Sequence, residues 1–264
     1  MKYDSCETLL VEVIGSVGIV TLNRPDNLNT VNAQMSAELM QVVAAVNEDD
    51  NIRVVVFTGA GDKAFSAGGD IRESRGRDFQ THTAVVRGLL DLTIMVEGVK
   101  KPVIAAVNGY AIGMGFELAL SCDIVFATEK SIFSAPEVNI GMFPQAGGPQ
   151  RLPRIVGNSK AKELMFTGRK VSAAEALEIG LVNRVVASKE ALTEAYMEFG
   201  RQLAEKPPLA LQQIKFLVNK GSEMPLPLAL EYSHEAATLV NTSEDKKEGQ
   251  QSFLEKRKPQ FKGR

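Results

Sequence analysis

Two glutamates stand where their chemistry draws notice. Glu117 lies in Phe116-Glu-Leu-Ala-Leu120, a helical stretch apolar nearly all round. A carboxylate buried in such a helix is paired, or shifted in pKa and put to use. The other reading is an exposed helix edge with Glu117 on it, and spacing alone leaves both open. Glu137 follows Pro136 and precedes a glycine-rich turn, a setting found at many ordinary turns. If it faces Glu117, the pair can hold one water against one reacting carbon and move protons in both directions, with coupled titrations.

Two loops share a second kind of chemistry. Ala64-Phe-Ser-Ala-Gly-Gly-Asp-Ile71 and Gly109-Tyr-Ala-Ile-Gly-Met-Gly-Phe-Glu117 each follow a buried strand and are rich in small residues. Small residues let the backbone approach a ligand and point its N–H groups inward, and a helix N-terminus adds the positive end of its dipole. One N–H from each loop on a single oxygen makes an oxyanion hole. For either loop by itself, a tight turn is the better reading.

These residues must be positioned by an alternation of strands and helices. Thr8–Ile14 and Val17–Asn23 read as strands joined by Gly15-Ser16. Asn32 reads as a helix N-cap, with Met35, Leu39, Val42, Val43 and Val46 at helical spacing after it. Arg53–Thr58 and Pro102–Val107 are short apolar runs of the kind found in strands buried on both faces. A helix is expected over Thr83–Glu97 and another over Phe116–Ser121, with strands at Asp123–Ala127 and Ser131–Phe133. Gly141–Gly148 reads as a turn region. Helices follow at about Lys160–Thr167 and Ser172–Glu178, then a strand at Leu181–Val186. Past Ser188 the pattern is helical only, broken at Pro207-Pro208 and Pro225-Leu-Pro227. The fold class is therefore α/β, with a core over residues 1–187 carrying the site and a helical segment over 188–264. That segment packs either on a neighbouring subunit or on its own core.

Composition narrows the function further. The 264 residues carry a formal net charge of −2, so no global field draws the chain to nucleic acid or a membrane. No apolar run reaches membrane-spanning length, and the first residues resemble neither a secretory signal nor a transit peptide. The 2 cysteines, Cys6 and Cys122, lie far apart and read as reduced thiols of a cytoplasmic protein. With only 2 histidines, neither beside a nucleophile, acid–base work falls to carboxylates or the backbone. Gly113-Met-Gly115-Phe-Glu-Leu118 begins like a dinucleotide fingerprint, but Leu118 takes the third glycine's place. A nucleotide-dependent enzyme using this loop, and a binding or assembly subunit without turnover, stand as alternatives of other classes.

Taken together, the motifs resemble those of the crotonase superfamily. Lys63-Ala-Phe-Ser-Ala-Gly-Gly-Asp-Ile71 is similar to its AF-x-AG-x-D loop, and Pro102 through Ala119 to its second signature. Asn23-Arg-Pro25, Cys122-Asp123, Pro136-Glu137, Ala146-Gly-Gly-Pro-Gln-Arg-Leu152, Leu164–Gly168 and Ala173–Val182 fall in the same order, so the resemblance spans nearly the whole chain. It implies a spiral of ββα units whose C-terminal helices help build a homotrimer, often paired into a homohexamer. It implies an oxyanion hole from the Gly69 and Met114 N–H groups, and a CoA moiety running along the loop at Ala67. The implied substrate-binding set also takes in Asp70, Ile71, Arg72, Gly113 and Gln145, with Arg72 toward a CoA phosphate.

Glutamates at both positions imply hydration of an enoyl-CoA, with Glu117 activating water for C3 and Glu137 delivering a proton to C2. Isomerising members commonly keep only the later acid. No metal or redox cofactor is expected, and coenzyme A is part of the substrate. Gln145 stands where glycine is usual and Pro149 where threonine is. Met114 and Phe116 are bulkier than the usual residues. These departures bear on acyl-chain preference rather than on the reaction.

Overall fold

A computed structural model describes the chain apart from Met1, Lys2, Asp4, Ser5, Arg75 and Arg77 and the side chain of Ser74. Its large sheet grows from the apolar runs identified above. Strands β1 (Leu9–Ile14) and β2 (Val17–Leu22) form an antiparallel hairpin turned at Gly15, whose φ of 62° is the left-handed region glycine adopts freely. β3 (Val54–Gly59) pairs parallel to β2, and β5 (Val103–Val107) parallel to β3. β7 (Ile124–Thr128) and β10 (Arg184–Val186) complete the order β1-β2-β3-β5-β7-β10.

Alternation along the central strands sends side chains into two cores, as the two-residue strand period requires. Val55, Phe57, Val103 and Ala105 join one core with Met35, Leu39, Val42 and Val46 of helix α1 (Ala33–Glu48). Val54, Val56, Ile104 and Ala106 join the other with Leu192, Ala195 and Tyr196. The side chain of Asn32 does cap α1, accepting from the Met35 N–H at 2.9 Å.

A smaller sheet runs beside the first, in the order β4 (Ala64–Ser66), β6 (Tyr110–Ile112), β8 (Ile132–Ser134), β9 (Val171–Ser172). Each unit lays one strand in the large sheet, the next in the small one, and then a helix. β3 and β4 lead to α2 (Ile71–Ser74) and α3 (Phe79–Glu97), while β5 and β6 lead to α4 (Met114–Leu120). β7 and β8 lead to a 3-10 helix (Pro136–Ile140), α5 (Gly148–Val156) and α6 (Asn158–Thr167). This is the expected ββα spiral. The short helix α7 (Ala173–Glu178) then returns the chain to β10.

The helical boundaries differ in instructive places. α3 begins at Phe79 rather than Thr83, because the Asp78 carboxylate accepts from the Thr81 N–H at 2.7 Å and starts the helix a turn earlier. α5 occupies residues that read as the exit from a turn.

The segment after residue 188 is divided. α8 (Lys189–Ala204) covers the large sheet of its own core, so the helical segment is not a unit separate from residues 1–187. α9 (Pro208–Gly221), α10 (Leu226–Thr242) and α11 (Glu244–Leu254) continue beyond it. α9 is tied back by Lys215, whose ammonium lies 2.8 Å from the Asp123 carboxylate.

Candidate functional site

The site lies where the two glycine-bearing loops meet. The first leaves β4 as Ala67-Gly68-Gly69-Asp70 and is laced to the segment before α1. The Ala67 N–H donates to the Leu28 carbonyl, Val31 N–H to the Gly68 carbonyl, and Asp70 N–H to the Val31 carbonyl, at 2.8 to 3.0 Å. Gly68 has φ of 101°. The Asp70 side chain, 5% exposed, is taken up by Arg24 at 3.2 Å and Arg72 at 2.9 Å. Those guanidiniums hold its carboxyl far below the usual range; the hydrogen bonds from Arg72 are the largest cause. Within this lacing the Gly69 N–H has no hydrogen-bond partner among the described residues. A side chain built on Gly69 would meet nothing within 4 Å, so this face of the loop is open.

The second loop ends β6 at Gly113, whose N–H donates to the Ser134 carbonyl at 2.9 Å and whose φ is 54°. Met114 is the first residue of α4, and its N–H is one of those a helix start leaves unpaired. The loops touch closely. A Cβ on Gly68 would lie 3.6 Å from the Met114 nitrogen and 3.0 Å from the Ile112 carbonyl oxygen. A Cβ on Gly115 would stand 2.3 Å from the Ser66 carbonyl oxygen, so glycine there is what allows α4 to rest on β4. Gly69 and Met114, which the resemblance implied as partners, present N–H groups without a hydrogen-bond partner among the described residues, on adjoining backbone.

Glu117 projects from the first turn of α4 and is 3% exposed. Its Oε1 accepts from the N–H groups of Ala146 and Gly148, both at 2.8 Å. Burial raises its pKa to about 7; the Gly148 N–H opposes the rise, the Glu137 charge adds to it, and the Ala146 N–H and Arg151 oppose it. Its proton is therefore exchanged near neutrality. The exposed-edge reading of this helix is wrong, since every residue of α4 is buried.

Glu137 sits in the first turn of the 3-10 helix started by Pro136. Its Oε1 would lie 3.0 Å from a Cβ on Gly113, which places it against the second loop. Its Oε2 is buried and has no hydrogen-bond partner among the described residues. Burial raises its pKa as well. A buried carboxyl oxygen without a partner is costly unless a ligand or water meets it.

The remaining residues named from the sequence fall into three groups. Ala67 is half-buried and Ile71 is 68% exposed on the first loop. Arg72 is exposed, with its guanidinium already engaged by Asp70 and by the Asn27 side-chain carbonyl at 2.7 Å. Gln145 is half-buried on the wall of a cavity of about 780 Å³, with Ile94, Phe143, Pro144, Arg151 and Phe216. Met114 and Phe116 place their side chains in the core, with Phe116 packed on the Phe133 ring at 5.9 Å between centroids. Their bulk is absorbed there. The sequence reading did not single out the Ala146 and Gly148 N–H groups that hold Glu117. Gly147-Gly148 ahead of Pro149 was the available signal, since such a start leaves N–H groups free to be shared.

Comparison with known proteins points to one family. The profile of the "Enoyl-CoA hydratase/isomerase" family matches residues 12–264. A probable enoyl-CoA hydratase of Rhizobium meliloti is 42% identical over 98% of this chain and 100% of its own length. A short-chain-enoyl-CoA hydratase of Clostridium acetobutylicum is 39% identical over 97% of this chain and 98% of its own. The crystal structure of an enoyl-CoA hydratase from Bacillus anthracis superposes with a TM-score of 0.95, at 38% identity, covering 98% of this chain and 100% of that one.

Proposed function

The chain belongs to the enoyl-CoA hydratase/isomerase family, whose substrates are CoA thioesters, and from that premise we propose that it adds water across the 2,3 double bond of an enoyl-CoA to give a 3-hydroxyacyl-CoA. The observation that carries the reading is the pair Glu117 and Glu137. One carboxyl is fixed by two backbone N–H groups, and the other keeps a buried oxygen free.

The thioester carbonyl oxygen takes the unpaired N–H groups of Gly69 and Met114. They stabilise the charge that gathers there as the double bond accepts a nucleophile. Glu117, as carboxylate, removes a proton from water while the water oxygen bonds to C3. Glu137, as carboxylic acid, gives its proton to C2. One water is added in all, and a proton passes from Glu117 to Glu137 to restore the starting state. Burial raises both carboxyls; the Gly148 and Ala146 N–H groups favour the charged form of Glu117, and its own backbone N–H that of Glu137.

The CoA portion runs along the first loop past Ala67 and Ile71. Asp70 serves this path indirectly, by fixing the loop through Arg24. The reaction so written needs no cofactor beyond the CoA that the substrate carries. Cys6 and Cys122 are unpaired, which fits a reducing cytoplasmic compartment. Exposed apolar side chains on α9 and α10, among them Ile214, Val218, Leu226 and Leu230, fit burial against further copies of the chain in a homotrimer or homohexamer.

Crotonyl-CoA tests the reading. Loss of the conjugated enoyl thioester absorbance, with a product heavier by one water, is expected of the wild type. Glu117→Gln and Glu137→Gln are each expected to lower kcat by roughly 10²–10⁴-fold. Double-bond migration without a mass change, surviving in Glu117→Gln, would instead mark an isomerase.

A further inference from the structure

Glu117 is held by a loop that is itself held from behind. The Ala146 N–H donates to Glu117, while the Ala146 carbonyl oxygen lies 2.8 Å from the Thr93 hydroxyl and 3.0 Å from Nη1 of Arg151. Thr93 is fully buried on α3. Arg151, on α5, is 14% exposed at its side chain and is fixed in turn by Glu97 of α3, with Nε and Nη2 at 2.9 and 2.6 Å from Oε2. Nη1 also lies 3.3 Å from the Thr93 hydroxyl. The guanidinium passes directly beside Gly147, where a Cβ would stand 2.1 Å from Nη1. Gly147 has φ of 98°, so the chain turns there in a conformation that leaves the space open. α3 and α5 both pack on α4 and are joined across this point by one ion pair.

We propose that Arg151 is a positioning residue for Glu117: through the Ala146 carbonyl it fixes the loop that holds the Glu117 carboxylate, and it brings a positive charge to the back of that loop. The inference rests on the functional reading above only for what Glu117 does, not for how it is held. The charged groups that face Glu117 are Arg151 from α5 and Glu137 from the 3-10 helix. Glu97, from α3, acts through Arg151. The strands β4 and β6 bring no charged side chain to it. Arg151 is the cation of this group, and its guanidinium is shared with Glu97. Its fork satisfies two roles at once, since Nε and Nη2 take Glu97 while Nη1 is left for the Ala146 carbonyl.

The test compares Arg151→Met, Arg151→Lys, Glu97→Gln and Thr93→Val by two readouts. The first is an infrared titration of the protonated-carboxyl band that disappears in Glu117→Gln. The second is the pH profile of kcat and KM for crotonyl-CoA hydration. Arg151→Met is expected to move the Glu117 midpoint, and the acid limb of kcat, upward by roughly one pH unit. Glu97→Gln is expected to move both downward. Arg151→Lys should return the midpoint toward that of the wild type without restoring kcat. Thr93→Val should lower kcat with the midpoint unmoved. A purely structural role would lower the active fraction in every variant and move no midpoint. Equal midpoints in the wild type, Arg151→Met and Glu97→Gln would overturn the proposal, and Glu97→Gln alone decides it if Arg151→Met fails to fold. A wild type that hydrates no enoyl-CoA would defeat the functional reading by itself, while the infrared midpoints still decide the role of Arg151.

Discussion

Glu117 and Gly148 meet at 2.8 Å, carboxylate oxygen to amide nitrogen, across 31 residues of sequence. The contact is possible only because residue 148 has no side chain. A Cβ there would stand 2.7 Å from the Pro144 Cβ and 3.0 Å from the same Glu117 oxygen. At these distances the proline ring or the carboxylate must move to admit a methyl group. Gly148→Ala is therefore expected to shift Glu117 rather than unfold the chain, at a stability cost of about 1–3 kcal/mol. A displacement of this size is expected to lower kcat for crotonyl-CoA by about 10²-fold, with a smaller change in KM. Steady-state kinetics beside a thermal melt separates the two effects. Wild-type kcat in a folded Gly148→Ala protein would show that the contact does not matter to turnover.

The raised pKa of Glu117 has a signed consequence for stability. The folded chain holds this proton up to about pH 7, whereas an unfolded chain releases it near its ordinary value of 4.5. The folded state thus binds more protons between those values, and stability falls as pH rises through that window. Glu117→Gln removes the ionisation and keeps an acceptor for the Ala146 and Gly148 N–H groups. The variant is expected to match the wild type near pH 4.5 and to exceed it at pH 8, by on the order of 2–3 kcal/mol. Urea unfolding at the two pH values measures the difference. A gain that does not grow with pH would place the cost of Glu117 in packing instead of charge.

What could be read from the sequence follows the range of the interactions involved. β3 and β5 were legible because both faces are buried and their residues form continuous apolar runs. The two loops were legible because their small residues announce close backbone approach. α5 was not, because Pro149 and Pro153 interrupt its pattern; the first lies in the opening turn, where no N–H is needed. The clamp on Glu117 was not legible either. Its parts, Ala146 and Gly148, lie 29 and 31 residues from the carboxylate, and Thr93 lies 53 residues before the carbonyl it holds. Local composition carries no sign of such contacts. Phe116 read as a pocket residue because its neighbours belong to the site, yet the helix turns its ring to Phe133 in the core.

Asp70 holds the first loop with its carboxylate engaged by Arg24 and Arg72, so its removal tests the loop's geometry. In Asp70→Asn the Arg24 guanidinium, half enclosed by the loop, loses its anionic partner. The expected stability loss is about 1–3 kcal/mol. The Gly69 N–H is then released from its fixed place beside Met114, and kcat is expected to fall more than substrate affinity. Stopped-flow binding of a non-reactive saturated acyl-CoA, set beside turnover of crotonyl-CoA, makes the comparison. A large loss of binding with kcat intact would make Asp70 a direct contact of the substrate.

α9 and α10 carry exposed apolar side chains whose spacing makes the proposed assembly testable. Ile214 and Val218, four residues apart on α9, are 58% and 65% exposed; Leu226 and Leu230, four apart on α10, are 69% and 58% exposed. Residues spaced by four share a helix face, so each helix presents an apolar stripe to solvent rather than scattered side chains. α9 is held to its own core by Lys215 on Asp123, which fixes the orientation in which that stripe is presented. Sedimentation of the wild type is expected to give three or six times the chain mass of 28.6 kDa. Ile214→Glu combined with Leu230→Glu places charge in both stripes and is expected to lower the mass toward a single chain, since burying an unpaired charge is costly. A wild type that sediments as one chain would mean that these stripes do not bind further copies.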